Sequence, residues 1–356
     1  MATVSLPTLM FATAQTAIVA YTAIWWLACA QVSSKGRRAS RRQVHDLGCG
    51  AGERDCESLR VSAWLEQRER GSIIGIRLIV GLALLVGRPV SRLLLYPVCL
   101  YFLLFSVKPR AGSRKYLAHV LDRRPHLADL FRHYFTFAVV ALDRFFLLKN
   151  RYELFETQIH GEDALLQTMN LGEGCLLLGA HLGSFEILRA RGSNQVEVGL
   201  MMYEDNARMV NSVAKAINPA LAGSVIPLGR VDSLFKVQEK MHRTSCVGML
   251  GDRALNEEGQ VRVQFLGEAA FFPPAPFRIA LALKRPVVLM LGLYRGGNRY
   301  ELYFEKLFEP AEVDRGKRAA AIEEAVRLYA KRLEHYCRQA PYNWFNFYDF
   351  WNGSSR

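Results

Sequence analysis

A histidine and a glutamate stand five residues apart in Gly179-Ala180-His181-Leu182-Gly183-Ser184-Phe185-Glu186. An imidazole held at one nitrogen by a carboxylate can take a proton from a hydroxyl with the other, and the carboxylate then stabilises the imidazolium. Spacing alone proves little. On a continuous helix five residues turn through about 500°, which leaves the two side chains about 140° apart. They meet only if His181 precedes a helix and Glu186 lies in its first turn, where the macrodipole favours a carboxylate. The flanking residues provide that break. Cys175–Ala180 reads as a buried strand that delivers His181 to its carboxyl end, the edge where α/β sheets place ligands. Gly183-Ser184 suits a turn and an N-cap, and Gly192 could close the helix at its far end. His181 is therefore expected to act as a general base oriented by Glu186. The bland alternative is a histidine packed at a strand end beside an ordinary first-turn glutamate.

A second motif competes for the chemistry. Asp46-Leu47-Gly48-Cys49-Gly50-Ala51-Gly52 has the glycine pattern of S-adenosylmethionine methyltransferases. That pattern works when an apolar strand delivers the glycines to a helix start. Here Arg41-Arg42-Gln43-Val44-His45 precedes it, which is no strand, so a cofactor site is not expected.

The elements that must position His181 follow from the texture after residue 155, where short apolar runs alternate with helical patterns. Strands are expected at Cys175–His181, Glu197–Tyr203, Cys246–Gly251, Val261–Leu266, Val287–Tyr294 and Tyr300–Phe304. The last two flank Arg295-Gly296-Gly297-Asn298-Arg299, a hairpin connection. Helices fit 184–191, 205–217, 232–242 and 274–284, and a longer one 316–339. An earlier helical pattern covers 112–150, with Leu127, Leu130, Phe131, Tyr134, Phe135 and Ala138 on one face. This is the signature of an α/β fold: a central, mostly parallel or mixed sheet flanked by helices, here with an N-terminal membrane-associated helical segment.

That segment is suggested by composition. Hydrophobic residues make up 51% of the 356 and charged residues 22%, which excludes disorder over most of the length. Residues 9–30 carry no charge and are long enough to span a bilayer, and Lys35, Arg37, Arg38, Arg41 and Arg42 follow. A signal peptide or a start codon assigned too early are the other readings. Residues 1–32 are thus a candidate transmembrane helix and 33–70 a basic linker. Two apolar runs, Ile73–Val86 and Leu93–Val107, joined by Gly87-Arg88-Pro89, read as interfacial or tilted helices within a membrane-associated stretch of 71–110. A buried helical hairpin is the alternative. The net charge is +13, and residues 71–160 alone carry thirteen basic against five acidic side chains. Interleaved with such apolar sequence, and without any helix-turn-helix, zinc-finger or ribonucleoprotein pattern, that excess favours anionic lipid or an acidic partner over nucleic acid. Seven scattered cysteines without a C-x-x-C pair argue against a disulfide scaffold or a zinc ribbon.

Around Leu176-Leu177-Leu178-Gly179-Ala180-His181-Leu182-Gly183-Ser184-Phe185-Glu186 the sequence resembles the lysophospholipid acyltransferase superfamily, and within it the bacterial lipid A biosynthesis acyltransferases, over roughly residues 70–350. The resemblance implies a catalytic dyad at His181 and Glu186 and an acyltransferase domain over 111–356. Met202-Tyr203-Glu204-Asp205-Asn206 is similar to the family's acceptor-binding block, and Gly251-Asp252-Arg253 with Val263-Gln264-Phe265-Leu266-Gly267 to the next. Arg253 departs from the Asp-Gln pattern common in lipid A enzymes. Expected substrate-binding residues are Gly183, Ser184, Arg189, Tyr203, Asn206, Asp252 and Arg253, with Arg189 and Arg191 equally readable as solvated residues. The implied reaction moves a fatty acyl chain from acyl carrier protein or coenzyme A to a lipid hydroxyl, on the cytoplasmic face of a bacterial inner membrane, with no metal and no bound cofactor. A non-catalytic lipid-binding or scaffold protein that kept the fold is the rival. The tail Tyr342–Trp351, with seven aromatics in ten, suits an acyl tunnel, a membrane interface or plain core packing. His133 reads as a packed histidine.

Overall fold

A computed structural model describes residues 73–351 apart from 171–173, 191–197, 204–224, 229–234, 236, 240–245 and 254–258. The candidate span, the linker, the Asp46–Gly52 heptapeptide, the helix expected at 205–217 and most of that at 232–242 lie outside the described residues.

Among the described residues three helices come first: α1 (Ile73–Phe105), α2 (Val107–Leu121) and α3 (Leu127–Leu148). Alternation then gives β1 (Glu156–His160), α4 (Glu162–Asn170), β2 (Cys175–Gly179), β3 (Val198–Tyr203), β4 (Val225–Leu228) and β5 (Cys246–Leu250). After these come β6 (Val261–Phe265), β7 (Glu268–Phe272), α5 (Ala275–Leu283), β8 (Val287–Gly296), β9 (Arg299–Phe308) and α6 (Arg318–Gln339). Among the described residues seven strands form one mixed sheet in the order β1-β9-β8-β2-β5-β3-β4, in which only β8 and β9 pair antiparallel. The expected α/β architecture is therefore present.

The two-residue period of a strand sends alternate side chains to opposite faces. Leu176 and Leu178 of β2 join Val247, Leu289, Leu291 and the α6 residues Val326, Tyr329 and Leu333 in one core. Cys175 and Leu177 join Val288, Met290, Leu302 and the α1 and α3 residues Val98, Phe102, Leu142 and Phe146 in the other. Covered on both faces, β2 is buried at every position, which is why its sequence is an unbroken apolar run.

Several expectations are corrected. The two apolar runs form helical stretches on either side of a kink at Gly87, whose φ of 79° and ψ of 166° are non-helical, and α1 denotes the two together. Pro89 follows where a helix restarts and its missing N–H is harmless. The helix expected at 184–191 is a 3-10 turn, Glu186–Ala190. The strand at Val261 belongs to a separate two-stranded sheet with β7, whose turn places Leu266 and Gly267 at positive φ. Strands β1 and β4 escaped notice because both are edge strands, the first largely polar and the second four residues long with a proline.

Candidate active site

The site stands at the carboxyl edge of the parallel strands. β2 ends at Gly179, and His181 follows two residues on. β5 pairs with β2 so that Leu250 lies beside Gly179, and the Gly251 N–H donates to the Gly179 carbonyl at 3.0 Å. Continuing that register sets Asp252 beside His181. The His181 Nδ1 to Asp252 Oδ1 distance is 2.8 Å, and the His181 backbone N–H donates to Asp252 Oδ2 at 3.1 Å.

Asp252 is wholly buried. Its Oδ2 also accepts from the Trp344 indole N–H at 2.9 Å and from Asn346 Nδ2 at 3.1 Å. A carboxylate with this many donors stays ionised: burial opposes the charge, but His181, Arg253 and the Trp344 hydrogen bond prevail and hold the group below the usual carboxylate range. An ionised Asp252 makes Nδ1 the protonated nitrogen, so the lone pair of the neutral ring is on Nε2. Burial first, then the nearby Arg253 and Arg144 cations, push the His181 pKa below 6.5 against the pull of Asp252. That shift favours the neutral ring. Its side chain keeps 27% of its surface exposed, enough for a reactant to reach it.

The backbone beyond His181 is fixed by sheet-like bonds on both sides. Phe345 N–H donates to the His181 carbonyl at 2.7 Å, Gly183 N–H to the Asn343 carbonyl at 2.9 Å and Ser184 N–H to the Gly292 carbonyl at 2.8 Å. Gly183 has a φ of 67°, and a side chain there would run into the Gly292 carbonyl. Only glycine fits.

Glu186 is not the partner of the imidazole. Its carboxylate pairs with Arg144 Nε at 2.8 Å and accepts from Ser184 Oγ at 3.3 Å. The 3-10 turn replaces the α-helical first turn on which the expected contact depended, and the parallel register supplies a closer acid. Glu186 instead ties the segment after His181 to α3, where Arg144 follows Asp143. Asp143 is itself buried, gripped by Arg88 of α1 at 2.7 and 2.8 Å and by the Tyr300 hydroxyl at 2.8 Å.

Of the expected site residues, His181, Gly183, Ser184, Glu186, Asp252 and Arg253 are gathered here. Arg253 donates from Nε to Asn346 Oδ1 at 2.8 Å and lies over the Tyr348 ring. Tyr203 ends β3, at the same sheet edge, and Arg189 lies on the 3-10 turn. The side chains of both, and all of Asn206, fall outside the described residues. Trp344 and Asn346 were missed as site residues. The tail's aromatic density marked it as notable, but nothing local says that it returns to the acid. Among the described residues no three His, Cys, Asp or Glu side chains gather as a metal site would require.

The model of the bacterial lipid A biosynthesis acyltransferase family matches residues 133–352, more than half of the chain and the whole of the site just described. The chain belongs to that family. It is an acyltransferase of lipid biosynthesis. A search of solved structures finds a 1-acyl-sn-glycerophosphate (LPA) acyltransferase from Thermotoga maritima at 14% identity, with a TM-score of 0.34, covering 69% of this chain and 98% of that one. No curated protein matches. Within this lipid A acyltransferase family member, the matched span opens on His133 and closes just past Trp351, so the aromatic tail lies inside it.

Proposed function

We propose that this acyltransferase moves a fatty acyl chain from an acyl thioester, on acyl carrier protein or coenzyme A, to a hydroxyl of a lipid or glycolipid acceptor, with His181 as general base. The observation that carries the reading is the partly exposed imidazole held at Nδ1 by a buried carboxylate 2.8 Å away. Nε2 takes the acceptor's hydroxyl proton as the oxygen attacks the thioester carbonyl. The tetrahedral intermediate collapses by breaking the C–S bond, and the imidazolium returns the proton to the departing thiolate. Asp252 stabilises the imidazolium between these steps, as the acid of a triad does. Arg253 and Arg144 supply positive potential for the oxyanion and for the anionic groups of donor and acceptor. Glu186 supports the base indirectly, by fixing Arg144 and the turn that follows His181.

The reaction is proposed to take place on the cytoplasmic face of the inner membrane, with α1 as the seat. Leu85, Leu93, Tyr96, Leu100, Leu104 and Phe105 are exposed along one side of α1, and Val107 continues the stripe. Gly81–Phe105 is long and apolar enough to cross a bilayer, but a third of its most apolar stretch is buried against the protein, and Arg88 and Arg92 lie within it. One apolar side and one protein-bound side favour a helix lying in the interface over one crossing it.

Replacing His181 with Ala should abolish transfer, with the protein still expressed and still recovered with membranes. Lipid mass spectrometry of a deletion strain complemented with wild-type or His181→Ala protein reads the outcome and names the acceptor. An unchanged acylated lipid in the variant strain would refute the assignment.

A further inference from the structure

The tail that closes over the site presents a puzzle of economy. Trp344 is wholly buried among Tyr116, Phe265 and Phe350, with ring centroids 4.8–5.3 Å away, and Asn346 is wholly buried beside it. A buried amide among aromatics is unfavourable unless its hydrogen bonds are made, and an apolar residue would pack there at lower cost. Both residues direct their donors to one atom, Asp252 Oδ2, which also takes the His181 backbone N–H. Oδ1 is left to the imidazole. One backbone carbonyl of this tail is separately gripped. The wholly buried His133 of α3 donates from Nε2 to the Trp344 carbonyl at 2.8 Å, and its Nδ1 accepts from the Ser113 hydroxyl of α2 at 2.7 Å. A carbonyl cannot donate, so Nε2 carries the proton and the tautomer is fixed.

We infer that Trp344 and Asn346 are positioning residues of the catalytic base, holding Asp252 by Oδ2 so that Oδ1 faces the imidazole, and that Ser113 and His133 clamp the tail that carries them. This rests on His181 being the base. Burial pushes His133 down to about 4, so the clamp stays uncharged throughout the working range of the enzyme. The charged groups around the imidazole are Asp252 and Arg253 after β5 and Arg144 of α3, the last paired with Glu186; the Tyr329 and Tyr348 hydroxyls lie in the field of Asp252. Removing a donor from Oδ2 leaves more negative charge to face the ring, so the imidazolium gains and the His181 midpoint must rise.

The test reads that midpoint without any substrate. The rate of diethyl pyrocarbonate modification at His181 is followed against pH by peptide mass spectrometry on the full chain, with the exposed His126 as internal reference. Trp344→Phe and Asn346→Leu should each raise the His181 midpoint by about half a pH unit or more, with His126 unmoved. Melting temperatures identify any variant that fails to fold, and Trp344→Phe, which keeps the ring packing, is the safer of the two. Folded variants whose His181 midpoint matches the wild type within about 0.2 units would overturn the inference, leaving the tail as packing alone. That outcome is separate from the fate of the His181→Ala experiment, because the midpoint is read whether or not the ring is catalytic.

Discussion

Asp252 holds a full negative charge with no surface exposed to water, a state tolerated only because four N–H groups point at its two oxygens. Replacing it with Asn removes the charge and faces Trp344 and Asn346 with a group that cannot accept from them all. Asp252→Asn should lower the rate of thioester consumption by about 10²- to 10⁴-fold, whereas Glu186→Gln, which loses only the tie to Arg144, should stay within about tenfold. The reverse ranking would return Glu186 to the role of orienting acid. The pH profile has a definite sign. With His181 as the proposed base, working unprotonated, and with burial and the Arg253 and Arg144 cations lowering its pKa from the ordinary histidine value, activity should hold across neutrality and fall as the pH drops. In Asp252→Asn the imidazolium loses its anion, and the acid limb should move lower still.

Between elements, the site depends on places where two backbones come closer than side chains allow. Gly292 of β8 faces the Ser184 carbonyl and Ile187, and a Cβ there would overlap both. Gly183 meets the same strand from the other side at positive φ. Gly248, in the middle of β5, makes room for the ring of Phe185. Gly292→Ala and Gly183→Ala should each destabilise the fold by about 2 kcal/mol or more, read as a fall in melting temperature with activity lost in parallel. Gly81→Ala is the contrast. Gly81 sits in α1 with open space around it, and alanine there should be neutral or stabilising by about 0.5–1 kcal/mol. A second tie at this scale is the end of α3, where Asp143 grips Arg88 of α1 and Arg144, the next residue, grips the turn after His181.

At the scale of the molecule, one exposed apolar stripe on α1 is held rigidly to the body that carries the base. Arg88 and Arg92 both donate to the Gly297 carbonyl at the β8–β9 turn, at 2.7 and 2.5 Å, and Arg92 also reaches the Tyr294 hydroxyl at 2.9 Å. The helix is therefore fixed relative to the site. Leu93→Glu, Leu100→Glu and Leu104→Glu together should leave the melting temperature within a few degrees, because these side chains contact little of the protein. The same triple variant should lose co-sedimentation with anionic phospholipid vesicles. Unchanged sedimentation would show that α1 is not the seat.

How much of this was legible in the residues follows from how far each contact reaches along the chain. The buried strand 175–179, the β8–β9 hairpin and the long final helix are encoded locally, by an unbroken apolar run, by paired glycines and by a three-and-four-residue period, so the sequence alone placed them, and it placed His181 at a strand end. The identity of its acid was decided elsewhere. Asp252 lies 71 residues away in sequence and Trp344 more than twice as far, and they arrive together because β5 pairs in parallel with β2 and the tail bridges Leu182. The nearby Glu at a suggestive spacing faces Arg144 and a remote Asp at the right register faces the imidazole, because hydrogen bonds between strands fix relative positions that no spacing along one segment can express.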